Sequence, residues 1–361
     1  MLITPYHYVP VLRWRAGEYR AIEKLDDVQK EFVVPLFEVL EPDFDFETNQ
    51  PAKDIDTHLA SFADRLKKHW DWHPALLDGS QLAGSTRMSD GTHPMAFLFA
   101  EARAKHTTLI PVTGLARDAD YQTAVGAIVT TDGRGLALRC SLVEALDPDL
   151  DIAVHSMLAS MGSGIDALDI LLDLGSPAFE PQDQLIGIIM SALDGSRTFR
   201  QARSVTLIAT SFPETLSALD GPIHVVKRCE WLLYKALLQK LGGETRRPAF
   251  GDYAISSIDF PKGDMRYMRG SPNVRYTIED AWIIVKGKRE KGGNKKTYVQ
   301  LCERLSKADG FTAAGFSQGS AYIHRCRSGE EKGGNTTTWK WVGTNHHITR
   351  VVHDLARLRG P

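Results

Sequence analysis

Short apolar runs that end in a charged or hydroxyl residue recur along the chain, at residues 8–13, 32–38, 75–78, 108–113, 135–139, 168–173, 205–211 and 253–256. Stretches long enough for helices separate most of them. The pattern predicts helices over 18–28, 54–70, 92–105, 118–130, 149–161, 181–193 and 225–241. The strand runs are continuously apolar rather than alternating, as expected of parallel strands covered on both faces. This rhythm predicts an α/β fold with a TIM-barrel-like (β/α)8 core, closed by a strand at 254–258. An open doubly wound sheet would show similar segments, but no GxGxxG follows the first strand, so a dinucleotide site has no support. In a closed barrel the polar residues at the C-terminal ends of the strands converge on one mouth, where sites are built.

Beyond residue 261 the rhythm changes. Residues 281–286 and 319–323 are strand-like, 288–296 and 330–338 are polar glycine-containing loops, and helices are expected over 298–309 and 346–358. The expected organisation is a barrel core over 1–261 and a basic α+β elaboration over 262–361, packed on or completing the barrel. Charge sharpens that division. Residues 262–361 hold 19 Lys/Arg against 9 Asp/Glu, whereas 1–261 hold 24 against 36. Such a split draws nucleic acid or another polyanion to one end, or else pairs the two halves within or between molecules. No apolar run approaches the ~20 residues that span a bilayer, and the start of the chain lacks a signal-peptide pattern. Cys140, Cys229, Cys302 and Cys326 form neither a CxxC pair nor a dense disulfide pattern, so reduced thiols and a cytoplasmic location are expected.

The opening Tyr8-x-Pro10-x-Leu12, followed by Gly17-Glu18 and Val34-Pro35-Leu36-Phe37-Glu38, resembles the phage and bacterial family called beta protein. The closing words Phe316-Ser317-Gln318-Gly319, Tyr322-Ile323, Trp339 and Asn345-His346-His347-Ile348 resemble the end of the same family. Ser320 stands where that family commonly has an acidic residue, which puts a carboxylate role there in doubt. The resemblance spans nearly the whole chain in short, separated words. It implies the extent of the fold and a setting among mobile elements and phage–host conflict, and it implies no particular reaction.

The strand ends supply the candidate chemistry. Glu38 and Glu41 follow the second strand, Asp78 the third and Asp173 the sixth. Glu38, Asp78 and Asp173 are the catalytic candidates, as general acid and base or as ligands of a hard cation such as Mg²⁺. The cofactor is otherwise left open, and no cluster with zinc spacing occurs. Arg13 and Arg139 end other strands, and a guanidinium holds phosphate or carboxylate in a planar pair. Lys286 closes the run Ala281–Val285, and Lys288 shares its face two residues on. His346 and His347 lie before the expected last helix, with Asn345 as a candidate cap. Adjacent side chains on a helix diverge, so one of the pair, His346, is taken as the ligand candidate. Tyr267, Tyr276, Trp282, Tyr322, Trp339 and Trp341 interleave aromatics with the basic residues, and Tyr322 is the stacking candidate. Gly315-Phe316-Ser317-Gln318-Gly319 matches GxSxG in letters but lacks the strand–turn–helix context of a hydrolase nucleophile, and Ser211 has no such motif.

Three readings follow. The first is recognition of nucleic acid or another phosphate-containing ligand in phage–host conflict. The second is a metal-assisted barrel enzyme acting on a phosphorylated substrate. The third is a structural or protein-interaction module, with a protein partner or a second copy of the chain. None of the three involves a membrane.

Overall fold

The computed structural model describes residues 3–219, 221–243, 245–259, 271–288 and 293–358. The chain divides into two compact units, each assembled from three stretches of sequence. The first comprises Met1–Trp14, Val33–Ala209 and Leu233–Asp252, and the second Arg15–Phe32, Thr210–Leu232 and Tyr253–Pro361. The expected division at 261/262 falls outside the described residues.

The first unit is a closed barrel of eight parallel strands. These are β1 (Tyr8–Arg13), β2 (Leu36–Leu40), β3 (Ala75–Gln81), β4 (Leu109–Thr113), β5 (Leu136–Cys140), β6 (Leu168–Asp173), β7 (Ser204–Ala209) and β8 (Ala249–Asp252). Each pairs with the next, and β8 pairs with β1 through Tyr8–Phe250 and Pro10–Asp252. The strands are buried almost throughout, as in β4 and β7, where every residue is covered. Helices Pro94–Ala104, Ala119–Asp132, Leu150–Ser160 and Gln182–Gly195 occupy crossovers that the apolar spacing predicts. Gly135 leads into β5 with φ +76°, and a Cβ there would lie 2.1 Å from the Ala167 carbonyl oxygen, so only glycine fits.

The closing strand is displaced from its expected place. Ala249–Asp252 closes the barrel, while the 254–258 segment does not, because Ala254 takes φ +53° and breaks the extended backbone. The Tyr8 hydroxyl donates to the Asp252 carboxylate across this seam.

In the second unit, strands Ile223–Lys227, Ala281–Lys286 and Asn273–Thr277 form an antiparallel sheet in that spatial order. Helices Gly293–Leu305, Gln318–Arg327 and Thr336–Arg357 belong to it, with Val274, Tyr276, Ile283, Val285, Leu301, Ile323 and Val342 in its core. Several expectations are corrected here. The helix expected over 225–241 is an edge strand followed by helix Cys229–Lys240. The strand expected at 319–323 is helical, capped by Ser317, whose hydroxyl accepts from the Ser320 N–H. The last helix begins at Thr336 behind an Asn335–Thr338 capping box, so His346 and His347 lie inside it and Asn345 is no cap.

Candidate functional site at the barrel mouth

Glu38, Asp78, Arg139 and Asp173 sit at or near the C-terminal ends of β2, β3, β5 and β6, and the barrel brings them together. Register places Arg13 level with Glu38, and Glu38 level with Asp78. The β2–β3 register slips just after Glu38, between Glu38 and Leu40. Arg139 lies at the centre. Its Nε donates to Asp173 Oδ2 at 2.9 Å, and its Nη1 donates to Glu38 Oε1 at 2.8 Å and to Asp78 Oδ2 at 2.9 Å. Its Nη2 lies 2.7 Å from Asp173 Oδ2. The cluster is closely covered, with 13% of the Arg139 side chain exposed, 10% of Asp173, 5% of Glu38 and none of Asp78. Charge-assisted bonds in such surroundings are short and directional. Burial pushes the Glu38 carboxyl above its ordinary value, Arg139 opposes that rise, Asp78 adds to it, and Arg13 opposes it weakly. Glu38 therefore holds its proton more readily than a surface glutamate does. Cys140, next to Arg139, is buried, and burial pushes its thiol up to about 12, so it is no nucleophile at neutral pH. Among the described residues no group of three or more His, Cys, Asp or Glu side chains is arranged to hold a metal ion.

Asp78 leads from this cluster to a cavity. Arg117 Nη2 lies 3.6 Å from Asp78 Oδ2, and Arg117 lines a cavity of about 240 Å³ together with Ser80, Gly84, His93, Asp118 and Tyr121. The Tyr121 hydroxyl fixes the wall, donating to the Val112 carbonyl at 2.9 Å and accepting from the Gly79 N–H at 3.1 Å. A Cβ on Gly79 would lie 2.7 Å from Met95 Sδ, so a larger residue at this strand end would displace the Met95 side chain. Asp118 caps helix Ala119–Asp132 by accepting from the Tyr121 N–H, and His93 Nδ1 accepts from the Met95 N–H at the start of Pro94–Ala104. Sequence reading missed Ser80, His93, Arg117 and Asp118. The available signals were a cap residue before each helix and the long polar connection after β3.

The remaining candidates belong to the second unit. Lys286 donates to the carbonyls of Leu216 at 2.6 Å and Leu219 at 2.5 Å, while Lys288 is exposed. His346 is fully buried, its Nε2 donating to the Thr277 carbonyl at 2.8 Å and its Nδ1 facing the Ser320 hydroxyl at 3.0 Å. Burial lowers its pKa to about 3, so it stays neutral. His347 meets the Thr277 hydroxyl at 2.9 Å. Tyr322 packs edge-on to Trp339 and Trp341, Tyr276 stacks on His346, and Trp282 lies against Phe212. Tyr267 falls outside the described residues. Ser211 bonds Glu230 and the Lys227 carbonyl.

The words that carry the family resemblance do structural work in this unit. A Cβ on Gly17 would lie 2.6 Å from the Lys340 side chain, and Lys340 pairs with Glu18 at 3.2 Å. Asn345 accepts from the Gly319 N–H and donates to the Ala21 carbonyl.

Protein beta of Enterobacteria phage P4 is 22% identical to this chain over 370 residues, covering 96% of this chain and 93% of that protein. Among solved structures, a mutant tryptophan synthase α-subunit from Pyrococcus furiosus has 11% identity, covers 70% of this chain and 89% of its own, and gives a TM-score of 0.39. Triosephosphate isomerase from Bartonella henselae has 12% identity, covers 68% and 90%, and gives 0.32. The model of the Beta protein family matches residues 8–353, and the chain belongs to that family.

Proposed function

We propose that the barrel mouth is a catalytic site acting on a small phosphate-containing substrate. The observation that carries this reading is the convergence of Glu38, Asp78 and Asp173 on Arg139 at one end of the barrel, beside a cavity. Arg139 fixes the three carboxylates in place. Glu38, whose pKa burial raises, is the group of the three suited to hold a proton and give it up. Asp78 joins the cluster to the cavity through Arg117. The test is turnover of a panel of sugar phosphates and nucleotides by the full chain, followed by mass spectrometry. Glu38→Gln should reduce kcat by about 100-fold or more, the usual range for a general acid or base. A panel without turnover, or unchanged turnover in the variant, rejects the reading.

A second reading is recognition of nucleic acid in phage–host conflict. It draws support from Lys288, Lys295 and Lys296, which are exposed in the basic C-terminal portion. Counterion release makes such binding fall steeply with salt. If DNA and RNA both fail to bind the full chain at low salt, this reading is abandoned.

A further inference from the structure

The cavity beside Asp78 is lined with hydrogen-bonding groups that the protein leaves unused. The Arg117 guanidinium lies over the Tyr121 ring but donates no hydrogen bond to any described residue, and its ion-pair partner, Asp78, stands 3.6 Å away. A guanidinium carries five donors, so this is a large unmet capacity at the wall of a cavity. Its side chain is 28% exposed, which leaves it reachable. His93 accepts through Nδ1 from the Met95 N–H, which assigns the ring proton to Nε2. That N–H has no partner among the described residues, and neither has the Ser80 hydroxyl. Asp118 uses one carboxylate oxygen to cap its helix, and the other lies toward Gly84, where an added Cβ would come within 2.9 Å of it. Arg87, by contrast, is committed to the carbonyls of Gly84 and Thr86 and to Asp120.

These groups fall into two sets. Arg117, His93 and Ser80 present donors suited to the oxygens of an anion. Asp118 presents an acceptor suited to a hydroxyl and unsuited to a second negative charge. At about 240 Å³ the cavity is below the ~300 Å³ at which drug-sized pockets begin. Its occupant is therefore small and carries an anion at one end and hydroxyls at the other.

From this we infer that the cavity binds the phosphate end of a small hydroxylated phosphate ester, with Arg117, His93 and Ser80 on the phosphate and Asp118 on a neighbouring hydroxyl. The inference deepens the catalytic reading and rests on it for its role, since the cavity is where such a substrate would be held next to Asp78.

Binding is measured by calorimetry on the full chain, with inorganic phosphate and ribose 5-phosphate as probes at matched ionic strength. Ribose 5-phosphate should bind about tenfold more tightly than inorganic phosphate, the gain expected of a hydrogen bond to a charged group. Arg117→Gln should weaken both probes at least tenfold. Ala116→Phe, which fills the cavity from an exposed position, should do the same while leaving the thermal midpoint unchanged. Asp118→Asn retains a good helix cap and should remove only the preference for the sugar phosphate. Lys105→Gln, an equal loss of charge at the far end of the Pro94–Ala104 helix, should bind as the unmodified chain does. Failure of both probes to bind at about 10 mM, a free energy near −3 kcal/mol, overturns the inference, as does unchanged binding by Arg117→Gln. Turnover dependent on Glu38 but indifferent to Arg117 would overturn this inference alone. Binding dependent on Arg117 in a chain without turnover would overturn only the catalytic reading.

Discussion

Replacing Arg139 by Gln should destabilise the protein by about 3–5 kcal/mol at neutral pH, the cost of leaving buried charges without their partner. The magnitude follows from the geometry. Arg139 makes three hydrogen bonds to carboxylates, and a further Nη2 contact with Asp173. Hydrogen bonds to charged groups contribute about 1.5–3 kcal/mol each in the folded state, so the gross interaction is larger than the net figure. Desolvation of the guanidinium offsets much of it. The variant leaves Glu38, Asp78 and Asp173 facing one another, and like charges at such distances favour protonation of at least one. The loss should therefore shrink as pH falls and the carboxylates take up protons. Urea unfolding of both chains at pH 7.5 and 5.5 reads the difference directly, with the denaturant slope checked for constancy. A variant as stable as the parent at pH 7.5, or one that loses more at pH 5.5 than at 7.5, would show that Arg139 does not hold the three carboxylates.

Glu38→Gln should gain stability relative to the parent as pH rises. The raised pKa of Glu38 favours the folded state below its ordinary value of 4.5, and that contribution is lost as pH climbs through the raised value, whereas Gln does not titrate. Chemical denaturation across pH 4–8 tests this, and a constant difference rules it out. Arg203→Met should cost about 3–5 kcal/mol, because Arg203 pairs through two nitrogens with the fully buried Asp169 at the opposite, N-terminal end of β6. The same variant should bind phosphate unchanged, and weakened binding would contradict the assignment of that end to stability. His346 is buried and neutral, so between its ordinary 6.5 and about 3 the unfolded chain binds the extra proton and stability falls with pH. That amounts to about 3 kcal/mol between pH 7 and pH 4. His346→Gln should show a shallower acid limb, and identical limbs would exclude the histidine as its source.

The strand ends were legible because continuous apolar runs are a strong signal and their last residues must share a face of the barrel. Glu38, Asp78, Arg139 and Asp173 follow from that rule alone. The closing strand was read a few residues late because Ala249–Asp252 is short and the next apolar residues, Tyr253–Ile255, extend the run past the turn at Ala254. The segment 319–323 misled for a different reason. Its apolar residues are too few to separate a period of two from one of 3.6, and its glycine is there for close helix packing. A Cβ on Gly319 would lie 2.3 Å from the Val342 carbonyl oxygen. Arg117 and His93 escaped because they stand in connections between strand and helix, where no periodicity marks a residue and only the fold brings them to one wall.

The two arginines nearest Asp78 explain why the mouth combines acids and bases without merely neutralising itself. Arg139 has its donors engaged by three carboxylates and 13% of its side chain exposed, so capturing a ligand anion there would break bonds already made. The Arg117 guanidinium stands 3.6 Å from the same aspartate and donates no hydrogen bond to a described residue. An incoming anion at Arg117 displaces little, and its charge falls close to a carboxylate already stabilised from the other side by Arg139. The arrangement thus separates holding the acids from receiving the anion, with Asp78 shared between them. That separation has a measurable consequence. Arg139→Gln and Arg117→Gln remove the same charge within reach of the same aspartate, yet the first should act chiefly on stability and the second chiefly on phosphate affinity. Equal effects of the two substitutions on both quantities would mean that the mouth is one undifferentiated ion-pair network.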